Sequence, residues 1–312
     1  MLGYDGVMLK SIFAGLVALI AAMASPARGA DRIPLADVVT AFDQAILQGQ
    51  SRISKWPLER VVRLKVTAAL GAAETQALSD AIGMIDRNTR LTMRRDDRAG
   101  EAELTVELVD GLGSRGGGIH NVGRTHSSYV SASGEMQVAT ISLTRDWASR
   151  DPNLIHRTLP HEMLHAVGFH GHTPDGFDSV MSGVGGSSRP TAWDLLFLKV
   201  LYDARLPLGT PRVFALPLAC NLLHERLVAE RNASVADLKS AGSHPYCTDI
   251  AKRPVVANAE GERISIAWAY LNGLGVARDL DAAEQWARRS KALGDRDADY
   301  LLYAIGQAKL RP

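Results

Sequence analysis

The residues best placed to do chemistry lie in one dodecapeptide, His161-Glu162-Met163-Leu164-His165-Ala166-Val167-Gly168-Phe169-His170-Gly171-His172. Two histidines four apart on a helix share a face, so the imidazoles of His161 and His165 can reach one metal ion, with Glu162 beside them to hold a water. That set points to metal-assisted hydrolysis, because three protein ligands around zinc leave a position for water and a neighbouring carboxylate can take its proton. Gly168 suits a left-handed helix exit, after which the chain can turn back and offer a third ligand from outside the helix. His170, His172 and Asp175 are the side chains in reach. Two further histidines, His120 and His126, stand near a glycine-rich loop, Gly111 to Gly118. Isolated histidines of this kind are more often surface residues than cleft or second-metal residues.

The elements that must position these groups can be read from apolar spacing. Asp37 to Leu47 and Thr75 to Asn88 have helical periodicity, while Arg60 to Thr67 and Glu103 to Val109 alternate as half-buried strands do. Tyr129 to Val130 and Gln137 to Leu143 are expected to be strands flanking a turn at Ser133-Gly134. The Arg-rich stretch from Arg90 to Arg98 includes Asp96 and Asp97 and reads as a solvated loop. The motif helix is expected to begin near Asp151-Pro152, and Pro160 to break or kink it. Thr191-Ala192-Trp193-Asp194 has the form of a capping box and opens an apolar helix that ends near Tyr202-Asp203. Pro207, Pro211 and Pro217 then place a boundary between residues 204 and 218.

The chain has 312 residues, 35 Lys and Arg against 34 Asp and Glu, and a formal net charge of +1. No basic field is available to attract nucleic acid, which excludes that class of partner. Lys10 precedes an apolar run from Ile12 to Met23 that ends in small residues, the pattern of a secretory signal peptide over residues 1–30, with one cleavage site at Ala22-Met23-Ala24 and a second after Ala30. The run is short for a membrane span. Export to the periplasm or the exterior is therefore expected, with no stable span after cleavage. An oxidising compartment favours a disulfide between the only two cysteines, Cys220 and Cys247, worth about 3 kcal/mol through loop closure.

The dodecapeptide resembles the metzincin clan of zinc metallopeptidases, whose motif H-E-x-x-H-x-x-G-x-x-H is followed by a methionine-containing turn. Asp178-Ser179-Val180-Met181-Ser182 is similar to that turn, and Thr191-x-x-Asp194 through Leu201-Tyr202 to the helix after it; the likeness spans roughly residues 58 to 204. The clan's third ligand falls three residues after the glycine, a position occupied here by Gly171 between His170 and His172. Relatives with G-F-x-G-H place the ligand at the position of His172, so the resemblance implies His161, His165 and His172 as Zn2+ ligands and Glu162 as general base. It further implies Met181 as an apolar floor below the metal and the strand at Gln137 to Leu143 as the cleft edge to which a protein or peptide substrate adds as a strand. The clan's tyrosine two residues after the methionine is replaced by Gly183, so a second oxyanion-stabilising group has no candidate.

From about Ile264 onward the chain resembles a Sel-one-like repeat, a relative of the tetratricopeptide repeat, in Ala267-Trp268-Ala269-Tyr270, Gly273-Leu274-Gly275-Val276, Ala282-Ala283, Trp286, Ala292 and Gly294. One complete helix pair and the first helix of another are present, which must pack on something else to be stable. The expected architecture is α+β, a metzincin-like mixed twisted sheet with an active-site helix and a C-terminal helix, followed by a small all-α unit. The expected division is a signal peptide at 1–30, a zinc peptidase domain at 31–210, a disulfide-linked helical connector at 211–260 and the helical repeat at 261–312, which could recruit a protein partner. The alternative is a catalytically impaired metzincin-like protein acting as an envelope interaction module.

Overall fold

The computed structural model describes residues 32–112, 122–130, 133–147, 152–230, 232, 234–236, 238, 242–257 and 260–311, without the side chains of 152–154 and 260. The signal segment, His120 and most of the glycine-rich loop lie outside the described residues.

Helix α1 (Leu35–Leu47) places Val38, Val39, Phe42, Ala45 and Ile46 at helical spacing and buries all of them. Strand β1 (Val61–Val66) alternates as its sequence does, with Val62, Leu64 and Val66 inward. Helix α2 (Ala72–Asn88) follows, then β2 (Thr92–Arg95), β3 (Leu104–Val109), β4 (Gly123–Tyr129) and β5 (Met136–Thr144). These strands form one sheet in the order β2-β1-β3-β5-β4. Neighbouring pairs are parallel except β4 and β5, whose antiparallel register runs from Gly123 opposite Leu143 to Tyr129 opposite Met136, with an irregularity at Ser128/Tyr129. The fold is thus α+β with a mixed sheet.

Thr92 to Arg95 is a strand and not a solvated loop: it pairs with β1 and only Met93 faces the core, which leaves almost no apolar signal. The strand at Gln137 to Leu143 is not an edge, because β5 is paired with β3 on one side and β4 on the other. The edge on that side is β4, which begins six residues earlier than Tyr129.

Helix α3 (Pro152–Ala166) carries the motif. Pro160 neither ends nor interrupts it as an element; the proline lacks the N–H that would bond the His156 carbonyl, and the helix continues through His161 and His165. At its C-terminal end Trp56 Nε1 donates to Ala166 O at 2.9 Å and the Tyr202 hydroxyl donates to Val167 O at 2.9 Å, so buried side chains satisfy carbonyls that the helix cannot. Helix α4 (Ala192–Leu201) starts with the capping box of Thr191 and Asp194.

Helix α5 (Arg212–Ala229) runs through Pro217 and buries Ala215, Ala219, Leu222, Leu223 and Leu227 in the same core as the sheet. Cys220 on α5 is bonded to Cys247 on α6 (Pro245–Ala251), 27 residues away. Helices α7 (Glu260–Asn272), α8 (Leu280–Ala292) and α9 (Ala298–Lys309) enclose a second, smaller core of Ile264, Ala267, Leu271, Ala283, Ala287, Leu301 and Ile305. This unit rests on the main body: Tyr270 packs edge-on against Phe214, and a side chain at Gly275 would collide with Thr210. Among the described residues no helix is long and apolar enough to cross a membrane.

Candidate metal centre

The α-helical repeat brings His161 and His165 onto one face of α3, with ring centroids 4.8 Å apart. His161 Nδ1 donates to Val180 O at 2.9 Å and His165 Nδ1 donates to Phe169 O at 2.5 Å. A carbonyl can only accept, so both rings carry their proton on Nδ1 and turn the Nε2 lone pair inward. Burial holds these imidazoles neutral, pushing His161 down to about 4 and His165 to about 3.

His172 completes the group. Its Nε2 lies 3.3 Å from that of His161, and one nitrogen from each of the three rings falls within 4.8 Å of the others. Gly171 explains why the third histidine follows it: the Gly171 N–H donates to Ala45 O at 3.0 Å, and a Cβ there would sit 2.4 Å from Gln44 O on α1. No side chain fits at that point, and the ring of the next residue, His172, is the one that meets His161. His170 lines the cleft, but its Nε2 donates to Ser54 O at 3.1 Å and its ring stands against Tyr129. Asp175 accepts from the Val184 N–H at 3.2 Å and belongs to the following turn. Neither is part of the three-histidine group.

The donor set fits a divalent ion that prefers nitrogen ligands. Two ligands held about 2.0–2.1 Å from one zinc ion at near-tetrahedral angles stand roughly 3.3 Å apart, the spacing between the His161 and His172 nitrogens. Three neutral imidazoles could hold such an ion and leave one position open.

Glu162, beside His161, is buried. Burial pushes its carboxyl up to about 7, against the opposing effects of the Thr125 hydroxyl and the Arg124 guanidinium. Thr125 Oγ1 lies 2.6 Å from Glu162 Oε2 and 3.0 Å from the Glu162 carbonyl. Gly123, two residues earlier on the same face of β4, lies so close that a Cβ would stand 2.8 Å from Glu162 Oε1 and 2.8 Å from Thr158 Cγ2.

The turn after the motif is fixed from α4. Asp194, fully buried, accepts from Ser179 Oγ at 2.5 Å, from the Val180 N–H at 3.0 Å and from the Thr191 N–H at 2.7 Å. Val180 in turn presents the carbonyl that orients His161, so the capping box of α4 reaches a candidate ligand through one residue. Arg157, one turn before His161, donates to Ser182 O at 3.1 Å. Met181 is fully buried between these anchored residues. The cleft, about 350 Å³, is lined by Gly123, Arg124, Thr125 and Ser127 of β4 and by His161, Glu162, His165, Phe169, His170 and His172. His126 lies on β4 but is not among them.

Sequence reasoning missed Gly123 and Thr125, because Gly123-Arg124-Thr125-His126-Ser127-Ser128 has no apolar alternation. The capping role of Asp194 was legible, but its hold on the turn at Ser179 and Val180 depends on a contact between elements.

No protein-family model matches the sequence, and no curated protein matches it either. Among solved structures the chain is similar to two of myroilysin. One is 15% identical with a TM-score of 0.35, covering 51% of this chain and 98% of that one. The other is 16% identical with a TM-score of 0.34, covering 55% of this chain and 96% of that one. Likeness of that degree says nothing about chemistry, which rests on the residues of the cleft.

Proposed function

We propose that this protein is an exported zinc-dependent endopeptidase of metzincin type, with His161, His165 and His172 as ligands and Glu162 as general base. The observation that carries the reading is the convergence of three neutral imidazole nitrogens with a buried carboxyl, in a cleft beside the strand β4. When bound, zinc supplies a Lewis acid that polarises a peptide carbonyl and makes water a nucleophile near neutral pH.

Glu162, buried beside His161 with Oε2 held by the Thr125 hydroxyl, is placed to accept a proton from the attacking water and return it to the leaving amine. Among the described residues the outer edge of β4 has no partner strand, so a substrate can add to the sheet there through backbone hydrogen bonds. The cystine at Cys220 and Cys247 accords with export to an oxidising compartment. Residues 261–312 serve as a Sel-one-like accessory unit on this enzyme, and 211–260 as the connector.

Digestion of an unfolded protein substrate, with the products mapped by mass spectrometry, tests this reading. Cuts at internal peptide bonds, abolished by a zinc chelator and restored by zinc, are the expected result. Intact substrate in the presence of zinc would overturn it.

A further inference from the structure

Thr125 carries a role that neither the motif nor the ligand set contains. Its hydroxyl has one proton and two acceptors in reach, both from Glu162, and the carboxylate oxygen at 2.6 Å is the nearer. Among the described residues Thr125 is the side-chain hydrogen-bond donor to this buried carboxylate, which depends on it for both orientation and solvation. Gly123, on the same face of β4, leaves just enough space, since a Cβ there would stand 2.8 Å from Glu162 Oε1. Both residues project from β4, which is held to β5 by an antiparallel register from Gly123 to Tyr129.

We propose that Thr125 is a positioning residue, which holds the Glu162 carboxylate in place from the same strand whose outer edge receives the substrate, with Gly123 as the spacer that makes room for it. The role rests on the reading of Glu162 as general base. It links two parts of the cleft that the chain separates by 37 residues: a shift of β4 is carried to the general base through one hydroxyl. Proton transfer requires the base held within about 0.5 Å of its productive position, so losing this bond should slow turnover while leaving substrate docking intact.

The test compares Thr125→Val, which keeps the shape and removes the hydroxyl, with Thr125→Ser and Gly123→Ala, all as full-length mature protein. The expected result for Thr125→Val is a kcat lower by about 10- to 100-fold, with KM and zinc content near those of the wild type. Thr125→Ser should recover most of kcat, and Gly123→Ala should lose it by crowding Glu162 Oε1. A Thr125→Val enzyme with wild-type kcat, or a Thr125→Ser enzyme as slow as Thr125→Val, would overturn the proposal. So would a change confined to KM, which would make Thr125 a docking residue. A crystal structure of Thr125→Val provides a readout that does not require activity: Glu162 should leave its position, and an unmoved carboxylate would overturn the proposal. A wild type that binds zinc but cleaves nothing would sink the peptidase reading, and the crystal structure would then decide the positioning role alone.

Discussion

At the scale of single residues the centre depends on which nitrogen each imidazole turns inward. Val180 O and Phe169 O fix this for His161 and His165, and both acceptors follow from the way the chain leaves α3. His170 and His172 make a sharp pair for testing. His172→Ala should lower zinc affinity by more than tenfold, whereas His170→Ala, whose ring is tied to Ser54 O, should retain one zinc per chain in a competition titration. The residue types are legible in the sequence, because His161 and His165 lie on one helical face with Glu162 beside them. The choice between His170 and His172 was not legible from spacing, because it is made by the packing of Gly171 on α1.

At the scale of elements, long apolar patterns are legible in the sequence and polar strands are not. The helices at Leu35–Leu47, Ala72–Asn88 and Ala192–Leu201 bury the faces their periodicity marks. Strands β2 and β4 were hidden or truncated, because an edge strand gains its hydrogen bonds from a partner without needing an apolar face. Gly171 is where one element controls another. Gly171→Ala should destabilise the fold by about 1–3 kcal/mol in denaturant unfolding and weaken zinc binding, since the Gln44 carbonyl cannot move aside without distorting α1.

Lys55, tied to the end of α4, gives the fold a pH dependence. Its amine is buried and donates to Leu201 O at 2.5 Å and Leu206 O at 2.8 Å, and burial pushes it down to about 7 from an ordinary 10.5. Between those values the unfolded chain holds a proton that the folded one releases, so this group makes stability rise with pH from about 7 to about 10.5. Lys55→Met should lose about 2 kcal/mol or more by leaving two carbonyls without a donor, and should abolish that rise; unfolding curves collected across the window check both.

At the scale of the whole molecule, one apolar core runs from α1 through the sheet to α5 and α6, and a second lies within the three C-terminal helices. The disulfide joins α5 to α6 within the first. Replacing Cys220 and Cys247 by serine should lower stability by about 3 kcal/mol in urea unfolding while zinc content is unchanged, because the loop it closes lies outside the cleft.

The most direct test of the account is to measure zinc content and peptide cleavage on the same preparations of the wild type and Glu162→Gln. The account predicts one zinc per chain in both proteins, cleavage by the wild type, and a loss of about 100-fold or more in Glu162→Gln. Cleavage by Glu162→Gln at the wild-type rate, or a wild type that holds zinc and cleaves nothing, would contradict it.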